Sequence, residues 1–151
     1  MNDQQLSLLI VEDNKGIRAT YELILAKTHL FRFATTCAEA REAMTQGYYD
    51  LILLDIELPD GNGLELLKEI RATLPEQEII MASAQTDAHF VVEAMKHGAI
   101  DFIPKPIDRE ILLRTLERAS RTHRLAWEKT ILLQKVEESG KREAPGLSSR
   151  R

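Results

Sequence analysis

Residues 48–63 read YYDLILLDIELPDGNG, and this stretch decides the fold. Its apolar residues 51–54 end directly on a carboxylate, Asp55, after which a proline and two glycines lead the chain into a loop. A short continuous apolar run bounded by turn residues predicts a central parallel strand that is covered on both faces. In open α/β sheets, ligands bind just outside the carboxyl ends of the strands. Asp55 therefore lies where a functional site is expected.

Four further apolar segments predict strands at 6–11, 31–36, 78–82 and 100–103. Helical patterns separate them, after Asn14, at 38–46, 64–73 and 88–97, and from Asp108 onward. Asp87 is the expected N-cap of the helix at 88–97. Strands that alternate with helices through short loops predict a doubly wound α/β fold with a five-stranded parallel sheet. By analogy with flavodoxin-like proteins, with two helices on one face and three on the other, we expect the strand order 2-1-3-4-5.

The composition indicates one soluble domain. A chain of 151 residues can bury a full core, and 44% hydrophobic with 29% charged residues is typical of globular proteins. The sequence shows neither an apolar run of membrane-spanning length nor a signal peptide, so we expect no membrane insertion. The single cysteine, Cys37, is interpreted as a small packed residue and suits a reducing compartment. We therefore expect a cytoplasmic protein.

The charge is distributed unevenly along the chain. Residues 1–108 contain 9 basic and 18 acidic residues, a net charge of −9, whereas residues 109–151 contain 11 and 6, a net charge of +5. An acidic core with a basic tail argues against a nucleic-acid-binding domain, and the tail has no recognisable DNA-binding motif. We expect no direct binding to nucleic acid.

Reactive side chains follow four of the five predicted strands: Glu12 and Asp13 after the first, Asp55 after the third, Ser83 after the fourth and Lys105 after the fifth. Three clustered carboxylates repel one another and require a cation, and oxygen ligands with positions left for water suit Mg²⁺. A carboxylate such as Asp55 can accept a phosphoryl group as an acyl phosphate while the metal neutralises charge. Lys105 and Ser83 would then contact the phosphoryl oxygens. Alternatively, Lys105 forms a salt bridge that only joins loops.

About residues 6–120 resemble the receiver domain of two-component response regulators. The motifs that carry the resemblance are Val11-Glu12-Asp13-Asn14, the segment from Leu54 to Gly63 around Asp55, Ser83-Ala84, and Phe102-Ile103-Pro104-Lys105-Pro106. The resemblance implies that Asp55 accepts a phosphoryl group from a sensor histidine kinase or a histidine phosphotransfer protein in a Mg²⁺-dependent reaction. Phosphorylation would then switch partner binding or self-association, with a homodimer through the face of the fourth and fifth helices or through the C-terminal helix.

The resemblance also implies roles for individual residues. The implied metal ligands are Glu12 (through water), Asp13, Asp55 and the backbone carbonyl of Glu57. The implied phosphoryl-binding residues are Ser83, Ala84 and Lys105, and the Lys105–Pro106 peptide bond would be cis. Phe102 matches an aromatic switch position, where the ring turns as Ser83 moves toward the phosphoryl oxygen. Phe102 could instead be a permanently buried core residue.

Two other functions remain open. Phosphatases of the haloacid-dehalogenase kind also form an acyl phosphate at the edge of a parallel sheet, but with a DxD pattern on the first strand and the acidic pair last. Here the acidic pair comes first, and Asp55 is followed by Ile56-Glu57, so the general-acid aspartate is missing. A pseudo-receiver that only binds partners would not need the complete set of reactive residues. We therefore expect a signalling switch and not an enzyme.

Beyond a receiver domain at 1–120, we expect a helical extension at 121–139 and a disordered basic tail at 140–151. Apolar residues recur at 3-4 spacing through most of residues 112–133, although His123 and Thr130 interrupt the seam. The extension either dimerises or docks on a partner, or it folds back on its own domain. The remaining residues are too few for an output domain, so we expect a stand-alone receiver if this is the full chain, or otherwise the front end of a larger regulator.

Overall fold

The computed structural model describes residues 5–84, 88–121 and 131–133. Its strands are β1 (Ser7–Val11), β2 (Leu30–Ala34), β3 (Leu51–Leu54), β4 (Glu57–Leu58), β5 (Gly61–Asn62), β6 (Glu78–Ser83) and β7 (Asp101–Pro104). Five of them form a parallel sheet in the order β2-β1-β3-β6-β7, and β4 pairs with β5 in a separate antiparallel hairpin. The predicted fold and strand order are confirmed, because β6 and β7 are the predicted fourth and fifth strands.

The helices are α1 (Lys15–Leu25), α2 (Cys37–Gln46), α3 (Gly63–Thr73), α4 (Ala88–Lys96) and α5 (109–121). Several begin after a residue whose side chain accepts an otherwise unpaired N–H of the first turn. These caps are Asn14, Thr36, Asn62 and Asp108. Asp87, the predicted cap of α4, lies outside the described residues, as do the predicted tail and most of the predicted extension. Each helix in the described part of the chain is too short or too polar to span a lipid bilayer.

The second strand ends at Ala34, two residues earlier than predicted. The Thr36 hydroxyl accepts a hydrogen bond from the Glu39 N–H at 3.0 Å, and the Glu39 carboxylate accepts one from the Thr35 N–H at 2.7 Å. These reciprocal bonds are close to a capping box, which favours the start of a helix over further strand pairing. Residues 35 and 36 therefore cap α2 instead of extending β2.

The core has two layers, one on each face of the sheet. One face is covered by α1 and α5 through Tyr21, Leu25, Leu112 and Leu116. The other is covered by α2, α3 and α4 through Ala40, Ala43, Leu66, Leu67 and Ala94. The central strand β3 divides its side chains between them, with Leu51 and Leu53 in the first layer and Ile52 and Leu54 in the second. Since each buried aliphatic side chain contributes about 1.5–3 kcal/mol, this strand is held from both sides and its carboxyl end is fixed.

His29 joins the loop after α1 to the start of β1. Its side chain is buried, and its Nδ1 accepts a hydrogen bond from the Leu6 N–H at 2.9 Å. A protonated Nδ1 could not accept this bond. Burial lowers the pKa of His29 below its ordinary value, which agrees with a neutral ring in the folded protein.

We expect the free energy of unfolding to fall as the pH is lowered from about 7.5 to about 5.5, because the unfolded state takes up a proton on His29 before the folded state does. Urea unfolding at several pH values measures this. The His29→Asn variant keeps an acceptor near the position of Nδ1 but cannot titrate, so its stability should depend less on pH in this window. An identical pH dependence in both proteins would contradict the assignment.

Candidate functional site

The topology brings the ends of four strands to one edge of the sheet. β1 and β3 are adjacent with Val11 opposite Leu54, and the Asp55 N–H donates to the Val11 carbonyl at 3.2 Å. Glu12 and Asp55 therefore leave the sheet side by side. On the other side of β3, the Lys105 N–H donates to the Ser83 carbonyl at 3.1 Å, which joins the ends of β6 and β7.

The centre of the site is an ammonium group shared by two buried carboxylates. Lys105 Nζ lies 2.5 Å from Glu12 Oε1 and 2.9 Å from Asp55 Oδ2. Glu12 is 1% exposed and Asp55 6% exposed. Buried charges require such partners, because their removal from water is costly.

Burial and the shared ammonium act in opposite directions on the pKa values of these groups. Burial raises the pKa of Glu12, although the bonds to Lys105 and to the Asn14 N–H oppose the change. Burial acts to lower the pKa of Lys105, but its bonds to Glu12 and Asp55 outweigh this effect and raise it. Lys105 is therefore held as a cation, and negative charge is left over at the site.

A third carboxylate, that of Asp13, adds to the negative charge at the site. Asp13 is exposed at the mouth of the site, and carboxylate oxygens of Glu12, Asp13 and Asp55 lie within 4.8 Å of one another. With all three carboxylates ionised, these groups and Lys105 together carry a formal charge of three negatives and one positive. Clustered carboxylate oxygens are the ligands that hard divalent cations prefer.

The loop after Asp55 is folded back against it. The Glu57 N–H donates to Asp55 Oδ1 at 3.4 Å, and the Gly63 N–H donates to the Ile56 carbonyl at 2.6 Å. A Cβ atom at Gly63 would overlap the backbone carbonyl of Asp55 and contact Ile56 Cα at 2.8 Å. The β4–β5 hairpin therefore depends on a glycine at position 63, and Glu57, whose carbonyl was implied as a ligand, lies within this hairpin.

The remaining predicted residues lie on β6, β7 and the segments that follow them. Ser83 is buried at the end of β6, and Ala84 is exposed next to it. Phe102 is half-buried and packs against the core layer of α2, α3 and α4. The Lys105–Pro106 peptide bond is cis.

Two further residues were not found from the sequence. Asp60, at the turn of the hairpin, accepts hydrogen bonds from the Cys37 and Ala38 N–H groups at 2.7 and 3.0 Å, so it ties the hairpin to the start of α2. Arg18, in α1, donates to the backbone carbonyls of Glu12 and Asp13. A turn aspartate and a helix arginine usually indicate solvated residues, and the partners of Asp60 are more than 20 positions away in the sequence. No local pattern could have found that contact.

Comparison with known proteins gives the class to which this fold and site belong. The sequence profile of the response regulator receiver domain matches residues 8–117. The chain therefore belongs to this family, whose members are characteristically phosphorylated on an aspartate.

Individual relatives support the same conclusion. Chemotaxis protein CheY of Listeria monocytogenes is 36% identical over 118 residues, which cover 77% of this chain and 99% of CheY. Response regulator protein PilR of Pseudomonas aeruginosa is 39% identical over 101 residues, which cover 66% of this chain and 23% of PilR. A crystal structure of NtrX from Brucella abortus has a TM-score of 0.79 and 34% identity, covering 85% of this chain and 30% of that chain. The chain thus spans nearly all of CheY but less than a third of the larger regulators.

We expect Gly63→Ala to destabilise the protein by at least about 3 kcal/mol, because overpacking costs about 1–3 kcal/mol even where side chains can adjust and here the clash is with backbone. Urea unfolding provides the measurement. The control is Gly47→Ala, where the nearest heavy atom to a Cβ would be Tyr49 Oη at 3.8 Å, and its effect should be below about 0.5 kcal/mol. Equal stability of the two variants would show that the hairpin can move away from Asp55.

Lys105→Met should destabilise the metal-free protein by about 3 kcal/mol, because it leaves Glu12 and Asp55 buried without their cation. Urea unfolding in EDTA at neutral pH tests this. Adding Glu12→Gln to Lys105→Met should recover part of the loss, since one of the two uncompensated charges is then removed. A double variant that is as unstable as the sum of its single variants would rule out this coupling.

Proposed function

We propose that Asp55 is the phosphoacceptor of a signalling switch, and that it receives its phosphoryl group from the phosphohistidine of a sensor histidine kinase or a histidine phosphotransfer protein. The observation that carries this proposal is the contact of Lys105 with both Asp55 and Glu12 at the open edge of the sheet. In the transfer, an Asp55 oxygen attacks phosphorus, the P–N bond breaks, and its electron pair returns to the imidazole.

The reaction requires a divalent cation, for which Mg²⁺ is the candidate. Glu12, Asp13 and Asp55 offer converging oxygens with excess negative charge, and the Glu57 backbone carbonyl belongs to the loop that folds back on Asp55. Hard oxygen ligands with room for water suit Mg²⁺. When bound, the ion would neutralise the charge that develops on the phosphoryl oxygens.

After transfer, the phosphoryl oxygens need donors. Lys105 Nζ lies 2.9 Å from an Asp55 oxygen and is held as a cation, so it can move to the new phosphoryl oxygen with little displacement. Ser83 and Ala84 follow on the neighbouring strand end and would hold the group from the other side. In this arrangement the protein supplies positioning and charge, which is what phosphoryl transfer requires.

Ser83 and Phe102 are the proposed switch residues. They lie on the adjacent strands β6 and β7, where Ser83 pairs with Pro104 and Met81 with Phe102. The half-buried ring of Phe102 has a partly open side, so a movement of Ser83 toward a phosphoryl group could change its packing. A permanently packed Phe102 is the alternative.

The proposed output surface is the face of α4 and α5. It exposes Val92, Met95 and Ile111, which are 59%, 44% and 39% exposed. A change in this face would alter self-association or binding to a partner protein. A homodimer through residues 121–139 is the second possibility, and most of that segment lies outside the described residues.

We further propose that the domain is a signalling module and not an enzyme, and that the receiver domain comprises residues 1–120. The net charge of −9 on residues 1–108 argues against direct binding to nucleic acid. Cys37 is a buried free thiol, which supports a reducing, cytoplasmic location.

The test is intact mass after incubation with acetyl phosphate and Mg²⁺, with light scattering on the same samples. We expect an added mass of ~80 Da, the mass of one phosphoryl group on an aspartate nucleophile. The label should require Mg²⁺ and be absent from Asp55→Asn, whereas Asp50→Asn, which changes a carboxylate at the opposite end of β3, should keep it. Label that persists on Asp55→Asn would overturn the assignment. A folded protein that binds Mg²⁺ but acquires no mass would favour a pseudo-receiver.

A further inference from the structure

Arg18 is a charged side chain beside the site that phosphoryl transfer does not use directly. It lies in α1 and is half-buried. Its Nη1 donates to the carbonyl oxygen of Glu12 at 3.1 Å and to that of Asp13 at 2.8 Å. A single nitrogen of α1 therefore bridges two successive carbonyls of the segment that carries two of the three site carboxylates.

This bridge constrains the direction of the backbone. In an extended strand, successive residues point to opposite sides, so one donor cannot reach two successive carbonyls. The chain must turn immediately after β1 for Arg18 to contact both. The Glu12 N–H is still held as in the sheet, since it donates to the Ala34 carbonyl at 2.9 Å. The turn is thus confined to the carbonyls of Glu12 and Asp13, and it sets the direction in which the Asp13 side chain leaves the backbone.

The bridge also leaves the carboxylates available. In the described part of the chain, the hydrogen bonds of the Arg18 guanidinium go to carbonyl oxygens, whereas Lys105 contacts the carboxylates of Glu12 and Asp55. A guanidinium is always charged and offers several donors in a fixed plane. Arg18 can therefore fix the loop and reduce its excess negative charge without occupying an oxygen that a metal would need.

We propose that Arg18 is a positioning residue for the metal site, which turns Glu12 and Asp13 so that their carboxylates converge with Asp55. This inference rests on the proposed function, because it assumes that the three carboxylates bind Mg²⁺. The partners that orient metal ligands typically change metal affinity by about 10–100-fold when they are removed. Arg18 acts through the backbone of two ligands, so removing its side chain should weaken Mg²⁺ binding by a factor within this range.

The experiment measures Mg²⁺ binding by isothermal titration calorimetry for the full chain and for three variants. Arg18→Met keeps the length of the side chain without donors or charge. Arg18→Lys keeps the charge, but its side chain is one bond shorter than that of arginine, so its ammonium cannot reach both carbonyls from the same position in α1. Lys27→Met, an exposed residue that follows α1, removes the same charge at a distance from the loop. Urea unfolding in EDTA accompanies each titration to report the stability of the metal-free fold.

We expect Arg18→Met to raise the Mg²⁺ dissociation constant about 10-fold or more, Arg18→Lys to raise it by a smaller but clear factor, and Lys27→Met to leave it unchanged. The rate of labelling by acetyl phosphate at subsaturating Mg²⁺ should fall in the same order. Saturating Mg²⁺ should restore most of the rate, because Asp55 and Lys105 are intact.

Each result that contradicts these expectations has its own meaning. Wild-type affinity in Arg18→Met would overturn the proposal. If Arg18→Lys binds Mg²⁺ as tightly as the wild type while Arg18→Met binds it more weakly, the effect is due to charge. That result would also overturn the proposed positioning role of Arg18. If Arg18→Met does not fold, Arg18→Lys and Lys27→Met decide the question. If the wild-type chain itself binds no Mg²⁺, the proposed function fails, and not the role of Arg18 alone.

Discussion

The structure depends on the placement of one ammonium group between two buried carboxylates. Lys105 contacts Glu12 and Asp55 at hydrogen-bonding distance, and the three residues come from the ends of β1, β3 and β7. Two charges of the same sign could not remain buried next to each other without this cation. The contact of Lys105 with both carboxylates is therefore required for the stability of the resting protein. It is also the arrangement of charges that a phosphoryl group on Asp55 would meet.

The fold meets this requirement through the order of its strands. Placing β1 beside β3 puts Glu12 and Asp55 together, although more than 40 residues separate them in the chain. β3 is buried on both faces, so Asp55 leaves a rigid strand and its position is set by the core. Lys105 reaches it from beyond β6, whose last residue, Ser83, shares a backbone hydrogen bond with Lys105. Rigid strand ends therefore position the charged groups more accurately than a mobile loop could.

The strands and the reactive residues at their ends could be predicted from local patterns in the sequence, whereas the strand order was expected by analogy with flavodoxin-like proteins. The apolar run 51–54 that ends on Asp55 identified the central strand, and the polar residues after the other strands identified the edge at which they meet. The contacts made by Asp60 and Arg18 could not be predicted, because each joins a side chain to backbone groups whose direction depends on the tertiary fold. The sharing of Lys105 between two carboxylates was also beyond sequence reasoning, which allowed a salt bridge but gave no partner distances. The role of Thr36 as the N-cap of α2 was missed for a smaller reason, since Thr35 and Thr36 also suit a strand.

The resting contacts bear on how the proposed signal at Asp55 would spread through the sheet. If Asp55 is the phosphoacceptor, as proposed, a phosphoryl group there would change the partner of Lys105, whose backbone N–H donates to the Ser83 carbonyl. The ends of β6 and β7 therefore cannot respond independently, because this hydrogen bond and the pairing of Ser83 with Pro104 join them. On the opposite side of Asp55, the hairpin is fixed by Gly63 and by the bonds of Asp60 to α2, so movement there is resisted. Under the proposed function, a change in the contacts of Lys105 would therefore pass to the joined ends of β6 and β7 and not to the hairpin.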